Sequence, residues 1–167
     1  MPSELEAHSE RGGLGGRSAP DQVRALVQRV SSASVVVDGE TVGSISQGFL
    51  ILVGVHHDDD ETSAIAIADK VANLRVFTDA DGNLNLSLLD TSGAALVVSQ
   101  FTLYADTGRG RRPSFVDAAA PEVAEPLVVA VGDRLRELGV AVSSGIFGAH
   151  MEVALVNDGP VTILLES

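Results

Sequence analysis

A continuous apolar run at residues 48–55 (GFLILVGV) constrains the fold of this chain more than any other stretch. A strand without polar alternation must be covered on both faces, which makes it a central strand of a sheet. A second apolar run, residues 96–98 (LVV), is short and rich in β-branched residues, and is also expected to be a buried strand. The fold must therefore place other elements on both sides of one sheet.

Shorter segments around these two runs have the patterns of strands and helices. Asp38 and Gly39 form a pair typical of a tight turn between two strands. Apolar residues at helical spacing predict helices at residues 62–76 and 121–138, the second opening with a proline. Further strands are predicted at residues 23–30, 34–37, 41–45, 140–143, 152–156 and 161–165. The sequence thus predicts an α+β fold that opens as an antiparallel β-meander.

Length and composition predict a single domain, and the lack of membrane or signal-peptide patterns predicts the cellular compartment. The chain has 167 residues, 45% of them hydrophobic, which is enough for one domain with a substantial core. Residues 1–22 carry two glycine pairs and scattered charge without periodicity, so we expect a disordered tail before a domain at residues 23–167. The absence of cysteine excludes disulfides and thiolate chemistry. No apolar run or leader pattern predicts a membrane span or a signal peptide, so a cytoplasmic protein is expected.

Two acidic segments are candidate metal sites. Residues 56–61 (HHDDDE) precede the first predicted helix, where acids cap the N-terminus, and their spacing matches no recognised metal motif. Residues 79–85 superficially resemble a calcium loop but lack the full ligand pattern and the closing glutamate. Capping and a turn are the preferred interpretations, and no metal or other cofactor is expected.

The charge of the chain bears on nucleic-acid binding in two opposite ways. A formal net charge of -12 repels phosphates at long range. Arg109, Arg111 and Arg112 nevertheless form a local basic cluster, and arginine suits phosphate geometry. A phosphate contact and a solvated loop with surplus positive charge are both open interpretations of this cluster.

Two short stretches carry the residues best suited to a site. Ser99, Gln100 and Thr102 surround Phe101 at the end of a buried strand, where they could line a pocket wall or merely satisfy backbone groups. Residues 157–160 (NDGP) form a turn whose Gly-Pro peptide bond can be cis at modest cost, although an ordinary hairpin turn fits as well.

Together, residues 99–103 (SQFTL) and 157–162 (NDGPVT) resemble the two signature stretches of the D-aminoacyl-tRNA deacylases. The resemblance extends to residues 28–30 (QRV), 54–55 (GV) and 112–115 (RPSF), and it covers residues 23–165. It implies a homodimer with a compact, single-domain, β-barrel-like fold of antiparallel sheets and helices packed outside.

The same resemblance implies an editing hydrolase that cleaves the ester between a D-amino acid and the terminal adenosine of tRNA, and that also removes misattached glycine. Its residues 99–102 would line the pocket for the adenosine and the ester. Phe147 and Met151 would border the adenosine. Gly159 and Pro160 of one subunit would enter the pocket of the other and reject L-aminoacyl esters, with Arg29 helping to hold that turn.

The chemistry of the site leaves alternatives open. Thr102 could attack an ester, yet no base is evident beside it, and the resemblance gives His150 no role. The resemblance instead implies that the 2′-hydroxyl of the substrate assists, while backbone N–H groups near Phe101 and Thr102 stabilise the oxyanion. A Thr-nucleophile esterase, which fails if Thr102→Ala largely keeps its activity, and an inactive protein that binds tRNA ends remain alternatives. Tyr104 and Ile146 depart from the residues common in the family.

Overall fold

The structure is a computed structural model that describes residues 22–167. The predicted tail, residues 1–22, therefore lies outside the described residues except for its last one. Within the described part, no helix is long and apolar enough to cross a membrane.

Eight strands, three α-helices and one 3₁₀ turn make up the described fold. The strands are β1 (Arg24–Val37), β2 (Glu40–Ile45), β3 (Gly48–Gly54), β4 (Phe77–Thr78), β5 (Leu84–Leu86), β6 (Ala94–Ser99), β7 (Ala141–Ser144) and β8 (Glu152–Glu166). The helices are α1 (Glu61–Asn73), α2 (Leu88–Thr91) and α3 (Pro121–Glu137), and the 3₁₀ turn is Phe101–Tyr104.

Six strands form one sheet in the order β2-β1-β3-β6-β7, and β8 also pairs with β1. The outer strands β2 and β7 meet, since Ser143 Oγ donates to Ser44 O at 3.3 Å and a Cβ on Gly43 would lie 2.7 Å from Ser144 O. The sheet is therefore a nearly closed barrel, and the predicted α+β barrel-like fold with external helices is confirmed.

The observed sheet differs from the predicted one in three details. The sheet is mixed, because β6 runs parallel to both β3 and β7. The opening is not a simple meander, because β3 pairs with β1 and not with β2. The segments predicted as separate strands at 23–30 and 34–37 are one long strand, β1. It continues through Ser31 and Ser32, which are exposed where its pairing with β8 shifts register.

Strand β3 is buried on both faces, as its apolar run predicts. Phe49, Ile51 and Val53 pack in the cluster under the helices, where α1 and α3 contribute residues such as Ala68 and Val131. Leu50 points to the opposite cluster, inside the barrel, whose buried members are Val30, Ala33, Val35, Leu50, Leu96 and Val98. This double burial fixes the position of the strand whose far end borders the site.

The ends of the helices follow from their caps. Asp60 is the N-cap of α1 and accepts a hydrogen bond from Ser63 N at 3.1 Å, which confirms the capping interpretation of the acidic run. Helix α1 ends three residues before the predicted limit, because Leu74 turns to an extended conformation. Helix α3 starts with Pro121 as predicted. The short helix α2, with Ser87 as its N-cap, was not predicted.

Candidate active site

A cleft of about 610 Å³ opens where the parallel strands β3 and β6 end. Helix α3 and the irregular segment 147–151 form its other walls. Ser99, Gln100, Phe101, Phe147 and Met151 all line it, so the structure brings together five of the residues predicted for the site. The remaining lining residues are Val53, Val55, Val98, Phe115, Ala118, Ala119, Pro121, Ala124, Val128, Gly148, Ala149, His150 and Val153.

The 3₁₀ turn Phe101–Tyr104 forms one lip of the cleft. Strand β6 ends at Ser99, just before this turn. Gln100 N still donates to Val53 O at 2.7 Å, and the chain then enters the 3₁₀ turn. Phe101 is 58% exposed and packs edge-on against Phe115, with ring centroids 5.0 Å apart. The backbone N–H groups of Phe101 and Thr102 donate no hydrogen bond to any other described residue. Two donors are therefore left for a ligand at this lip.

Thr102 faces Gln100 rather than the cleft. The Gln100 side-chain amide donates to Thr102 Oγ1, and Thr102 is not among the described residues that line the cleft. Its hydroxyl therefore orients the amide of Gln100.

Strand β3 supports the turn through Gly54, which has no side chain. A Cβ added there would lie 2.9 Å from Leu103 Cβ and 3.1 Å from Gln100 O. Only glycine lets the turn approach the strand this closely. The glycine at position 54, which is part of the resemblance to the family, therefore has a structural role: it lets the turn pack against β3.

The segment containing Gly159 and Pro160 protrudes from the pairing between β1 and β8. Asn157 pairs with Val30 and Thr162 with Gln28, so residues 158–161 are looped out of the ladder. The Gly159–Pro160 peptide bond is cis. Although two strands with a turn between them were predicted, β8 runs through this segment as one strand.

Arg29 ties the looped-out segment to the body of the fold. The side chain is buried, and its Nε donates to Asp158 O at 2.8 Å. Its Nη1 donates to Val76 O at 2.7 Å and to Thr78 Oγ1 at 3.3 Å. One guanidinium therefore links the loop after α1 to the segment before Gly159.

The structure does not bring Gly159 and Pro160 to the cleft of their own chain. Neither is among the described residues that line it. Arg29, which holds their segment, pairs with Phe49 at the start of β3, whereas the cleft begins at Val53 and Val55. Along β3, four residues separate the register position of Arg29 from Val53, which is about 13 Å at about 3.3 Å per residue.

The arginine cluster lies on an exposed loop beside the cleft. Asp106 and Ser114 close the base of this loop with two backbone hydrogen bonds of 2.8 Å. Arg109, Arg111 and Arg112 are exposed, and none forms an ion pair with another described residue. Their charges are therefore available to an anion next to Phe115, which lines the cleft.

A cluster of two histidines and one acid lies behind the cleft and was not predicted. One possible ligand atom from each of His56, His57 and Asp117 lies within 4.8 Å of the others. His56 Nδ1, however, accepts a hydrogen bond from Asp58 N at 3.0 Å. The neutral ring therefore keeps its proton on Nε2, so His56 is occupied by hydrogen bonding rather than open to a cation. Asp117 is distant in the sequence from the two histidines, and no local motif indicates that it lies beside them.

The segment that resembles a calcium loop is a turn, as predicted. Asp79 Oδ1 accepts hydrogen bonds from the backbone N–H groups of Asp81 and Asn83, at 2.9 and 3.0 Å. The bond from Asn83 is the main cause that lowers the pKa of the Asp79 carboxyl below its ordinary value. The carboxylate thus accepts hydrogen bonds from backbone N–H groups of its own turn.

Comparison with known proteins identifies the class to which this fold and cleft belong. The sequence model of the family described as D-Tyr-tRNA(Tyr) deacylase matches residues 26–166. The chain belongs to this family. A D-aminoacyl-tRNA deacylase of Roseiflexus sp. (strain RS-1) is 66% identical over 145 residues, which are 87% of this chain and 94% of that protein.

Two solved structures are also similar. The c-Myc DNA Unwinding Element Binding Protein is 40% identical, with a TM-score of 0.79 over 86% of this chain and 98% of that one. A probable eukaryotic D-amino acid tRNA deacylase is 16% identical, with a TM-score of 0.75 over 87% of this chain and all of that one, which shows the fold alone.

Proposed function

We propose that this protein is a D-aminoacyl-tRNA deacylase that hydrolyses the ester of D-aminoacyl-tRNA and of glycine misattached to tRNA, and that spares L-aminoacyl-tRNA. The observation that carries the proposal is that Ser99, Gln100, Phe101, Phe147 and Met151 line one common cleft in a chain of this family. The reaction takes place where aminoacyl-tRNA is made, in the cytoplasm.

The volume of about 610 Å³ and the lining of the cleft suit the terminal adenosine of tRNA. Its walls are mainly apolar, with a few polar groups at one lip, which is the usual composition of a small-molecule site. Phe147 and Met151 provide the flat and flexible apolar surfaces that hold a base. Ser99 and Gln100 then face the ribose and the ester at the lip.

The reaction needs a water molecule and the substrate's own hydroxyl. The oxygen of water bonds to the ester carbonyl carbon, and the bond from that carbon to the ribose 3′-oxygen breaks. The 2′-hydroxyl relays the proton of water to the leaving 3′-oxygen, so the products are a D-amino acid and tRNA with a free 3′-hydroxyl. The N–H groups of Phe101 and Thr102 stabilise the oxyanion that forms between these steps, a role supported by their lack of any other hydrogen-bond acceptor among the described residues.

The chiral filter is provided by a second copy of the chain. Gly159 and Pro160 are exposed and do not line the cleft of their own chain, so they are free to enter the cleft of a partner. Val156 and Leu164 flank them on the same strand and are 57% and 51% exposed. These apolar side chains are surface that a homodimer would bury.

Selectivity then comes from exclusion. Backbone groups held by Arg29 cannot move aside as a flexible side chain could, so an L side chain that occupies their position is rejected. Glycine has no side chain to clash with these backbone groups, so its ester is accepted and hydrolysed. Arg109, Arg111 and Arg112 contact the tRNA backbone, acting within a screening length of about 8–10 Å despite the acidic chain.

Parallel hydrolysis of D-tyrosyl-tRNA and L-tyrosyl-tRNA by the purified protein tests this function. We expect rapid loss of the D ester, while the L ester decays at the rate of an enzyme-free control. Equal enzymatic loss of both esters would contradict the filter and favour the Thr-nucleophile esterase. Binding of tRNA without loss of either ester would establish the binding-only alternative.

A further inference from the structure

The 3₁₀ turn that carries Phe101 and Thr102 is held from behind by an arginine outside the cleft. Arg24, the first residue of β1, donates from Nη1 to Leu103 O at 2.8 Å. Leu103 is the residue after Thr102, so this bond fixes the carbonyl end of the turn. Arg24 is not among the described residues that line the cleft.

Tyr104, the last residue of the turn, provides a second contact to the same guanidinium. The Arg24 guanidinium carbon lies 4.3 Å from the centroid of the Tyr104 ring, which is a cation–π geometry. Tyr104 is 4% exposed, and its ring meets the edge of His56 at a centroid distance of 5.4 Å. The ring is therefore fixed by packing.

The hydroxyl of Tyr104 takes no part in the contact with Arg24. It is buried and has no hydrogen-bond partner among the described residues. Burial raises the pKa of Tyr104 well above its ordinary value, with Asp59 as the next cause, so the phenol stays neutral at physiological pH. The part of Tyr104 that matters to Arg24 is the aromatic face.

A third contact orients Arg24 itself. Its Nε lies 3.2 Å from Glu166 Oε1, near the end of β8. The carbonyl of Glu166 in turn accepts a hydrogen bond from Lys70 Nζ at 2.6 Å. The guanidinium is thus held on one side by β8 and on the other by the turn, while Gly54 supports the turn from β3.

We propose that Arg24 is a positioning residue for the deacylation: it holds Leu103 O and the face of Tyr104, and thereby fixes the backbone N–H groups of Phe101 and Thr102 at the lip of the cleft. The inference rests on the proposed function of that cleft. Because small displacements of reacting groups are costly, loosening this turn lowers the rate of the chemical step more than it weakens substrate binding.

The test compares Arg24→Met, Arg24→Lys, Tyr104→Leu and Tyr104→Phe in steady-state hydrolysis of D-tyrosyl-tRNA. Arg24→Met and Tyr104→Leu are expected to lower kcat about tenfold or more, with KM within about twofold of the original. Arg24→Lys, which keeps a charged donor, is expected to recover part of the loss. Tyr104→Phe, which keeps the ring, is expected to retain kcat within about twofold.

A second measurement does not depend on activity. Leu103 N donates to Gln100 O at 3.2 Å and Ala105 N to Thr102 O at 3.0 Å, so both amides report on the turn by hydrogen exchange. Their protection is expected to fall about tenfold in Arg24→Met and to be unchanged in Arg134→Met, a surface arginine control.

Unchanged kcat and unchanged protection in Arg24→Met would overturn the inference. An equal loss of kcat in Tyr104→Phe would overturn the role of the ring face. If the original protein did not hydrolyse D-tyrosyl-tRNA, the proposed function would fail, whereas hydrogen exchange would still decide whether Arg24 holds the turn.

Discussion

Gly159→Ala is expected to lower kcat/KM for D-tyrosyl-tRNA by at least about 100-fold, or about 2.7 kcal/mol of transition-state stabilisation. Gly159 has φ +150°, which residues with a Cβ rarely adopt. An added Cβ would lie 2.8 Å from Val161 N and from Val161 Cγ2, and 3.3 Å from Arg29 Nη2. The segment must move, and the filter proposed for the cleft of a partner would move with it.

Gly82→Ala is the matched control for this substitution. Gly82 also has a positive φ, +83°, but an added Cβ there would meet nothing within 4 Å. It therefore introduces backbone strain without displacing a neighbour, and deacylation by Gly82→Ala is expected to stay within about twofold of the original. Full activity in Gly159→Ala, with the L ester still spared, would rule out the filter role of this segment.

Arg29→Ala is expected to reduce the free energy of unfolding by about 3 kcal/mol. The side chain is buried, and its loss leaves Asp158 O and Val76 O without their charged donor. The segment before Gly159 also loses its tie to the body of the fold, so deacylase activity should fall with stability. Urea unfolding followed by circular dichroism, together with the deacylation rate at low temperature, measures both effects.

Arg134→Ala is the control for losing an arginine on the surface. Arg134 pairs with Asp69 at 2.8 Å and with Glu137 at 3.1 Å, but these pairs are partly or largely exposed. Its removal is expected to lower the free energy of unfolding far less than the removal of Arg29, because exposed ion pairs contribute little to stability. If Arg29→Ala cost no more than Arg134→Ala, then Arg29 would not be the anchor that its contacts indicate.

The sequence predicted the parts of the fold that local patterns determine. The apolar run of β3 required cover on both faces, and Phe49 and Leu50 do pack into opposite clusters. Asp60 capped the first long helix as its position indicated. In contrast, the parallel pairing of β6 with β3 and β7 depends on contacts between distant segments, which alternation does not encode.

The candidate site was predictable through its two signature stretches, but its geometry was not. Nothing local indicated that Thr102 would turn towards Gln100, or that Arg24 would reach Leu103 O across 79 residues of sequence. In the sequence, Tyr104 is marked only as a departure from the residues common in the family. The structure adds that its ring lies against the guanidinium of Arg24.

The most direct test of the central claim, a cleft in one subunit completed by Gly159 and Pro160 of another, is subunit complementation. Gly159→Ala is expected to disturb the proposed filter and leave the cleft intact, whereas Ala118→Trp is expected to fill the cleft and leave the Gly159 segment intact. Each variant alone is expected to be nearly inactive on D-tyrosyl-tRNA. Co-refolding equal amounts is expected to restore about a quarter of the original activity, because half of the dimers then contain one complete site. No gain on mixing, from variants that form mixed dimers, would contradict a site built across two subunits.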